Sequence, residues 1–215
     1  MAPRKPPTPP GTLVLLVRHG ETPTTGRLLP GRAKGLHLSD VGRAQADAVA
    51  ERLAVLPKID AVYASPLERT RETAKPIAAA RQLPVTVDKG LLEADIGDWT
   101  GMELKVAAKT PEWKAVHSYP SGFRFPGGES FPEMQQRIVG AVERLRSAHP
   151  GQVIVLVSHA DPIKAAVAHA LGTHLDLFQR IVISPCSVTA ISYGDSGPTV
   201  LSVNSVGDLR AVKPS

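Results

Sequence analysis

The chain has 215 residues, 42% of them apolar and 21% charged, with a formal net charge of +5 at pH 7, which suits one large domain with a substantial core. Arg4, Lys5, Arg210 and Lys213 fall in expected tails, so the body is close to neutral, and no basic run interleaved with aromatics points to nucleic acid. Cys186 is the only cysteine, which excludes an internal disulfide, and no apolar stretch suits a signal segment or a membrane span; the expectation is a cytoplasmic protein with neither nucleic acid nor membrane as partner.

Residues 1–11 are crowded with proline and are expected to form a disordered tail, with a second tail over 206–215 and the domain between, over 12–205. Thr12 to Val17 reads as a strand buried on both faces, ending abruptly in Arg18-His19-Gly20. A long loop punctuated by Pro23, Gly26, Pro30, Gly31 and Gly35 leads to Ser39, the expected N-cap of a helix to about Leu56 with Val41, Ala44, Ala48 and Val55 as one apolar row and Val49, Leu53 and Leu56 beside it. Ile59 to Ala64 is a second strand. Ser65-Pro66 reads as an N-cap with proline at the first helical position, opening a helix toward Ala80 that Pro76 should kink. Val85 to Val87 is a short third strand.

Periodicity fades over 94–129, which is expected to be a cap-like insertion of short helices above the active edge of the sheet. Ser130-Phe131-Pro132-Glu133 is a capping box, and Phe131, Met134, Ile138, Ala141 and Leu145 mark the buried face of the helix it opens. Gln152 to Val157 is a fourth strand, followed by Ser158-His159 and a helix from Asp161 to Leu171 stopped by Gly172. Ser187 to Tyr193 and Thr199 to Val203 have the spacing of a hairpin. The fold class that follows is α/β: three layers, a mostly parallel sheet with helices on both faces and an antiparallel pairing late in the chain.

In a parallel sheet all carboxyl ends lie on one edge, where open α/β sheets place their chemistry. Arg18-His19, Ser65 to Arg69 and Ser158-His159 therefore become neighbours, bringing two histidines and two arginines to one pocket. Arginine binds phosphate oxygens through a rigid fork of donors. A histidine between guanidinium groups has its pKa pushed down and stays a neutral nucleophile. The reaction read from these residues is attack of a ring nitrogen on phosphorus, then cleavage of the phosphohistidine by water; Glu93, after the third strand, is placed to protonate the leaving alcohol. No P-loop, H-E-x-x-H or Cys/His cluster suggests a metal or cofactor, and none is expected.

Arg18-His19-Gly20-Glu21-Thr22 resembles the R-H-G-E-T signature of the histidine phosphatase superfamily, the phosphoglycerate mutase-like proteins. Ser65-Pro66-Leu67-Glu68-Arg69-Thr70 with Thr73-Ala74 is similar to its second motif, Leu92-Glu93 with Gly97, Trp99 and Gly101 to its third, and Ser158-His159 to its last. The resemblance spans roughly residues 12 to 203 and implies His19 as the phosphorylated nucleophile, Arg18, Arg69 and His159 as the phosphate pocket, and Glu93 as proton donor and then general base. Thr25 stands where many members carry an asparagine that touches phosphate, and the resemblance sets it beside Arg18, Arg69 and His159 as a substrate-binding residue through its hydroxyl. Ala160-Asp161 replaces a common Gly-Gly, and Asp161 before Pro162 is read as the cap of the next helix. The expected function is a metal-independent phosphomonoesterase acting on a small-molecule phosphate ester. A phosphoglycerate mutase or other phosphomutase and a non-catalytic phosphate-binding module on the same fold are the alternatives. The substrate stays open, and so does the oligomeric state, a homodimer included.

Overall fold

The apolar run after Gly11 forms β1 (Thr12–Arg18), buried along its length, and its side chains alternate between two cores as strand geometry requires. Leu13, Leu15 and Val17 face one core, Val14 and Leu16 the other. The computed structural model describes residues 11–207; the expected tails lie outside the described residues but for Gly11, Val206 and Gly207.

After β1 come α1 (Asp40–Leu53), β2 (Ala61–Ala64), α2 (Glu68–Ala79) and β3 (Val85–Val87). The segment between β3 and α5 holds α3 (Leu104–Ala107), α4 (Pro111–Ser118) and short 3-10 turns, and α5 spans Phe131–Ser147. β4 (Val153–Ser158), α6 (Ala160–Ala170), β5 (Val188–Gly194) and β6 (Gly197–Ser205) complete the order. The six-stranded sheet runs β3-β2-β4-β1-β5-β6. β1, β2, β3 and β4 are mutually parallel, whereas β5 pairs antiparallel with both β1 and β6, so the expected late hairpin is present. One face packs against α1 and α2 through Val49, Leu53, Ala74 and Ile77. The other packs against α5 and α6 through Met134, Ile138, Ile163 and Val167. The three-layer α/β expectation holds.

Helix ends show where local chemistry decides and where it does not. Ser39 caps α1 by accepting the Gly42 N–H, and Ser130 and Glu133 form the expected capping box of α5, whose predicted apolar face is buried. Ser65, by contrast, does not cap α2: Leu67 occupies that position without a side-chain bond, and Ser65 is drawn instead toward His159. Asp161 is likewise not the cap of α6; His159 is, and Asp161 lies in the first turn. Pro76 lies inside α2, which runs on to Ala79, close to the expected extent.

The buried face of α1 is Gly42, Ala46, Val49, Ala50 and Leu53, whereas Val41 and Val55 are exposed, so the first apolar row expected from sequence faces solvent. The reason is tertiary. A Cβ on Gly42 would meet the Glu21 carbonyl oxygen at 2.0 Å, and one on Gly20 would meet the Gly42 carbonyl oxygen at 2.5 Å. Only bare backbone lets α1 approach the chain just beyond His19. Gly42→Ala is therefore expected to destabilise by about 1–3 kcal/mol, reversing the roughly 1 kcal/mol gain of such a change at an open helical position. Thermal denaturation checks it, and a raised Tm contradicts it.

Candidate active site at the carboxyl edge of the sheet

Parallel pairing carries the site's residues together. Arg18 lies opposite Ser158 in the β1–β4 ladder, and the His19 N–H donates to the Ser158 carbonyl at 3.0 Å. The Ser65 N–H donates to the Val157 carbonyl and the Asp88 N–H to that of Ala64, so the chain leaves β1, β2, β3 and β4 on the same edge. Both α2 and α6 begin there, and the N-terminal ends of helices favour anions.

His19 is 6% exposed. Its Nδ1 lies 2.7 Å from the Gly20 carbonyl oxygen, which only a hydrogen on Nδ1 can satisfy, so the lone pair is on Nε2. Burial first, then the Arg69 and Arg18 charges, push its pKa down to about 3. The loop beyond it is clamped: Thr73 Oγ1 accepts the Gly20 N–H, and Gln45 bonds both the Glu21 N–H and the Glu21 carboxylate.

Arg18 donates through Nη1 to the Ile183 carbonyl at 2.6 Å, while its buried Nε has no partner among the described residues. Arg69, fully buried in the first turn of α2, donates through Nη2 to the Gly31 carbonyl at 2.8 Å and leaves Nε and Nη1 unpaired. His159, also fully buried, bonds the Ser65 hydroxyl through Nε2 at 2.9 Å; its Nδ1 is unpaired and 3.9 Å from the Glu93 carboxylate. Its pKa lies well below the ordinary value, through burial and then Arg69 and His19. The two imidazole centroids are 5.1 Å apart, edge to face. Unpaired buried donors are rare because each forfeits the full cost of leaving water. Three of them, from Arg18 and Arg69, with the unpaired His159 Nδ1, make a pocket suited to an oxyanion.

The Glu93 side chain is 16% exposed and accepts the Ala94 N–H. Burial raises its carboxyl to about 7, with the Asp161 carboxylate adding to the shift and the Ala94 N–H, Arg69 and Arg18 opposing it. Arg18, His19, Arg69, Glu93 and His159, the core of the sequence-predicted site, are thus brought together. Thr25 is placed differently: Oγ1 accepts the Thr22 N–H at 2.9 Å and sits 3.1 Å from the Thr22 hydroxyl, so its oxygen is engaged within the loop. Cys186 is buried, which lifts its thiol to about 12 and keeps it protonated.

Sequence reasoning missed the ion-pair lattice behind Glu93. Arg137 of α5 donates to the Gly90, Leu92 and Glu93 carbonyls and to both Glu129 oxygens. Arg32 donates to the same Glu93 carbonyl and bridges to Asp95 and Glu129. Glu129 is the anion shared by both arginines. The segment over 94–129 is stitched to the loop after β1 by the Leu28–Glu103 bridge and packs Trp99 against Trp113, Phe123 and Phe125. Among the described residues, no group of His, Cys, Asp and Glu side chains is arranged to hold a metal ion, and no helix is long and apolar enough to cross a membrane.

Comparison with known proteins places this arrangement in context. Residues 14–206 match the model of the histidine phosphatase superfamily (branch 1). The chain is 34% identical over 196 residues to Phosphoserine phosphatase 1 of Hydrogenobacter thermophilus, covering 89% of this chain and 91% of that protein. It is also 34% identical over 206 residues to Bifunctional protein Rv2228c of Mycobacterium tuberculosis, covering 92% of this chain but spanning only 55% of that relative. Among solved structures, Bacillus stearothermophilus YhfR superposes with a TM-score of 0.85 at 28% identity, over 91% of this chain and 98% of that one.

Proposed function

The chain belongs to the histidine phosphatase superfamily and is a phosphatase, and from that premise we propose that it cleaves a small phosphate ester through a phosphohistidine on His19, with no metal in the reaction. The observation that carries this reading is the convergence of unpaired buried donors from Arg18, Arg69 and His159 around a histidine whose Nε2 lone pair is free.

In the first step the neutral Nε2 attacks phosphorus and the ester P–O bond breaks. The two guanidinium groups and the His159 Nδ1–H spread the charge of the transferring oxygens. In this reading the Ser65 hydroxyl, 2.9 Å from His159 Nε2, is the donor of that bond, which keeps the imidazole hydrogen on Nδ1 for the phosphate. The departing alkoxide takes the proton of Glu93, which at about 7 is present on much of the enzyme at neutral pH. In the second step the Glu93 carboxylate takes a proton from water, whose oxygen attacks phosphorus; the N–P bond breaks, and free phosphate, neutral His19 and protonated Glu93 are restored. Thr25 contributes at most its hydroxyl hydrogen.

The test is phosphate release from an aryl phosphate in the presence of a chelator, together with a panel of small esters that includes O-phosphoserine, the substrate named for the Hydrogenobacter relative. Trapping an acid-labile, base-stable phosphoenzyme supports the intermediate. Interconversion of 2- and 3-phosphoglycerate faster than phosphate release overturns hydrolysis in favour of a mutase.

Filling the pocket should also stabilise the protein, because an anion supplies the partners that Arg18, Arg69 and His159 lack. Inorganic phosphate at about 100 times its Kd is expected to add about 2.7 kcal/mol. A Tm that rises with phosphate but not with equal ionic strength of chloride checks this.

A further inference from the structure

The peptide unit between Glu93 and Ala94 is held at both ends. Its carbonyl oxygen accepts the Arg32 Nε–H at 2.9 Å and an Arg137 Nη2–H at 3.2 Å, and its N–H donates to Oε1 of the Glu93 side chain at 2.9 Å. A trans peptide is planar, with C=O and N–H on opposite sides, so whatever fixes the carbonyl also aims the N–H. The other carboxyl oxygen, Oε2, is the one 3.9 Å from His159 Nδ1.

Arg32 suits this task because all three of its guanidinium nitrogens are engaged. Nε holds the carbonyl, Nη1 the Asp95 carboxylate at 3.2 Å and Nη2 the Glu129 carboxylate at 3.1 Å. Glu129 is in turn bidentate with Arg137 and accepts the Asp95 N–H at 3.1 Å. A rigid fork pinned at three points cannot swing, and an ammonium cannot copy it. Its place in the chain adds a link to the phosphate. Gly31, immediately before Arg32, gives its carbonyl to Arg69 Nη2 at 2.8 Å, so two consecutive residues of the loop after β1 touch a phosphate ligand and the backbone of the acid. The Arg32 side chain is 29% exposed, so replacing it opens no large cavity in the core.

We propose that Arg32 is a positioning residue for proton transfer: with Arg137 it fixes the peptide after Glu93 by its carbonyl, so that the Ala94 N–H occupies Oε1 and the transferable proton sits on Oε2, on the side of His159 Nδ1. The proposal rests on the phosphatase reading of the His19 site, with Glu93 as its acid. An oxygen that accepts an N–H keeps its lone pair for that bond, and a protonated carboxyl then carries its hydrogen on the other oxygen. Arg137 also holds the Gly90 and Leu92 carbonyls and so anchors the whole segment to α5, which makes Arg32 the cleaner handle on Glu93.

The test takes para-nitrophenyl phosphate as the aryl ester and, as the alkyl ester, whichever of O-phosphoserine and 3-phosphoglycerate the wild type hydrolyses faster. A misplaced acid penalises the alkyl ester more, so Arg32→Met should lower the alkyl-over-aryl ratio of pH-independent kcat/KM on the order of 10-fold. Arg32→Lys should lower it as far, because it keeps the charge but not the fork. With the Ala94 N–H less well aimed, the carboxylate loses a bond that favours it, so the descending limb of the alkyl profile should move above its wild-type position at about 7. Arg18 of β1, Arg69 of α2, and His159 and Asp161 of α6, the charged and titratable groups that other elements bring to this carboxyl, are untouched in both variants. In the Glu93→Gln background, Arg32→Met should change the ratio by about twofold or less. Each ratio is taken within one protein, so a reduced folded fraction cancels. Equal losses for the two esters, a loss of ratio that persists without the Glu93 carboxyl, or wild-type behaviour of Arg32→Lys overturns the proposal. Loss of all turnover in both variants, with inorganic phosphate no longer raising their Tm, also overturns it, by making Arg32 a prop of the phosphate pocket. No phosphate release by the wild type from any of the three esters overturns the phosphatase reading instead.

Discussion

Replacing His19 by alanine is expected to lower turnover by on the order of 10⁴-fold or more for every ester, with no phosphoenzyme to trap. The loss is this large because the remaining groups bind and polarise the phosphate but offer no second nucleophile: Cys186 is buried and protonated, and the nearest other imidazole, His159, spends Nε2 on Ser65. The fold should survive. Among the described residues the one side-chain hydrogen bond of His19 runs to its neighbour Gly20, while the loop is held independently by Thr73 and Gln45. Protection of the variant by inorganic phosphate, read as a rise in Tm, should therefore persist. Retained turnover with retained phosphate binding would remove His19 from the chemistry, whereas loss of both would point to misfolding.

Glu93→Gln is expected to separate substrates by leaving group. An alkyl ester releases a strongly basic alkoxide and should lose about 10²–10⁴-fold, the usual worth of a general acid. An aryl ester, whose phenolate leaves with little help, should lose much less in the step that forms the phosphoenzyme. The pH dependence carries the same signature. Glu93 must be protonated to act as the acid, so kcat/KM for an alkyl ester should fall as pH rises through about 7 in the wild type, and that descending limb should vanish in the glutamine variant. Protonation of His19 does not supply the rising limb near neutrality, because its pKa is about 3; that limb belongs to the second ionisation of the ester, near pH ~6. Equal losses for alkyl and aryl esters, or a descending limb that persists in the variant, would take the acid role away from Glu93.

The sheet and the residues at its edge were legible in the sequence because each carries a local signal. Leu13 to Val17 is an uninterrupted apolar run ending in Arg18-His19, and the rule that parallel strands share one carboxyl edge then places Ser65 and His159 beside it without any knowledge of contacts. What was not legible depends on groups meeting across the chain. The face of α1 could not be chosen from an alanine-rich pattern, since the deciding fact is the Glu21 carbonyl lying where a Gly42 side chain would be. Ser65 and Asp161 have the chemistry of caps, yet a buried imidazole claims the first and a lysine one turn away claims the second. The Arg32–Glu129–Arg137 lattice joins residues as many as 97 positions apart and has no periodicity to betray it. Its arginines stand in segments that read as an ordinary loop and an ordinary amphipathic helix.

The central position of β1 has a consequence for how the chain acquires its structure. β1 pairs with β4, beginning at Leu13 opposite Val153, and with β5, from Thr12 opposite Tyr193 to Val17 opposite Val188. Arg18 is further tied to the Ile183 carbonyl and the Cys186 N–H. Every strand partner of the segment that delivers His19 therefore lies more than a hundred residues downstream, and such distant pairings form slowly. During synthesis and refolding, Leu13 to Val17 waits as an unpaired apolar β-former with no charge until Arg18, the kind of stretch through which partly folded chains associate. The strand that gives the site its rigidity in the finished protein is thus an aggregation hazard before it is finished.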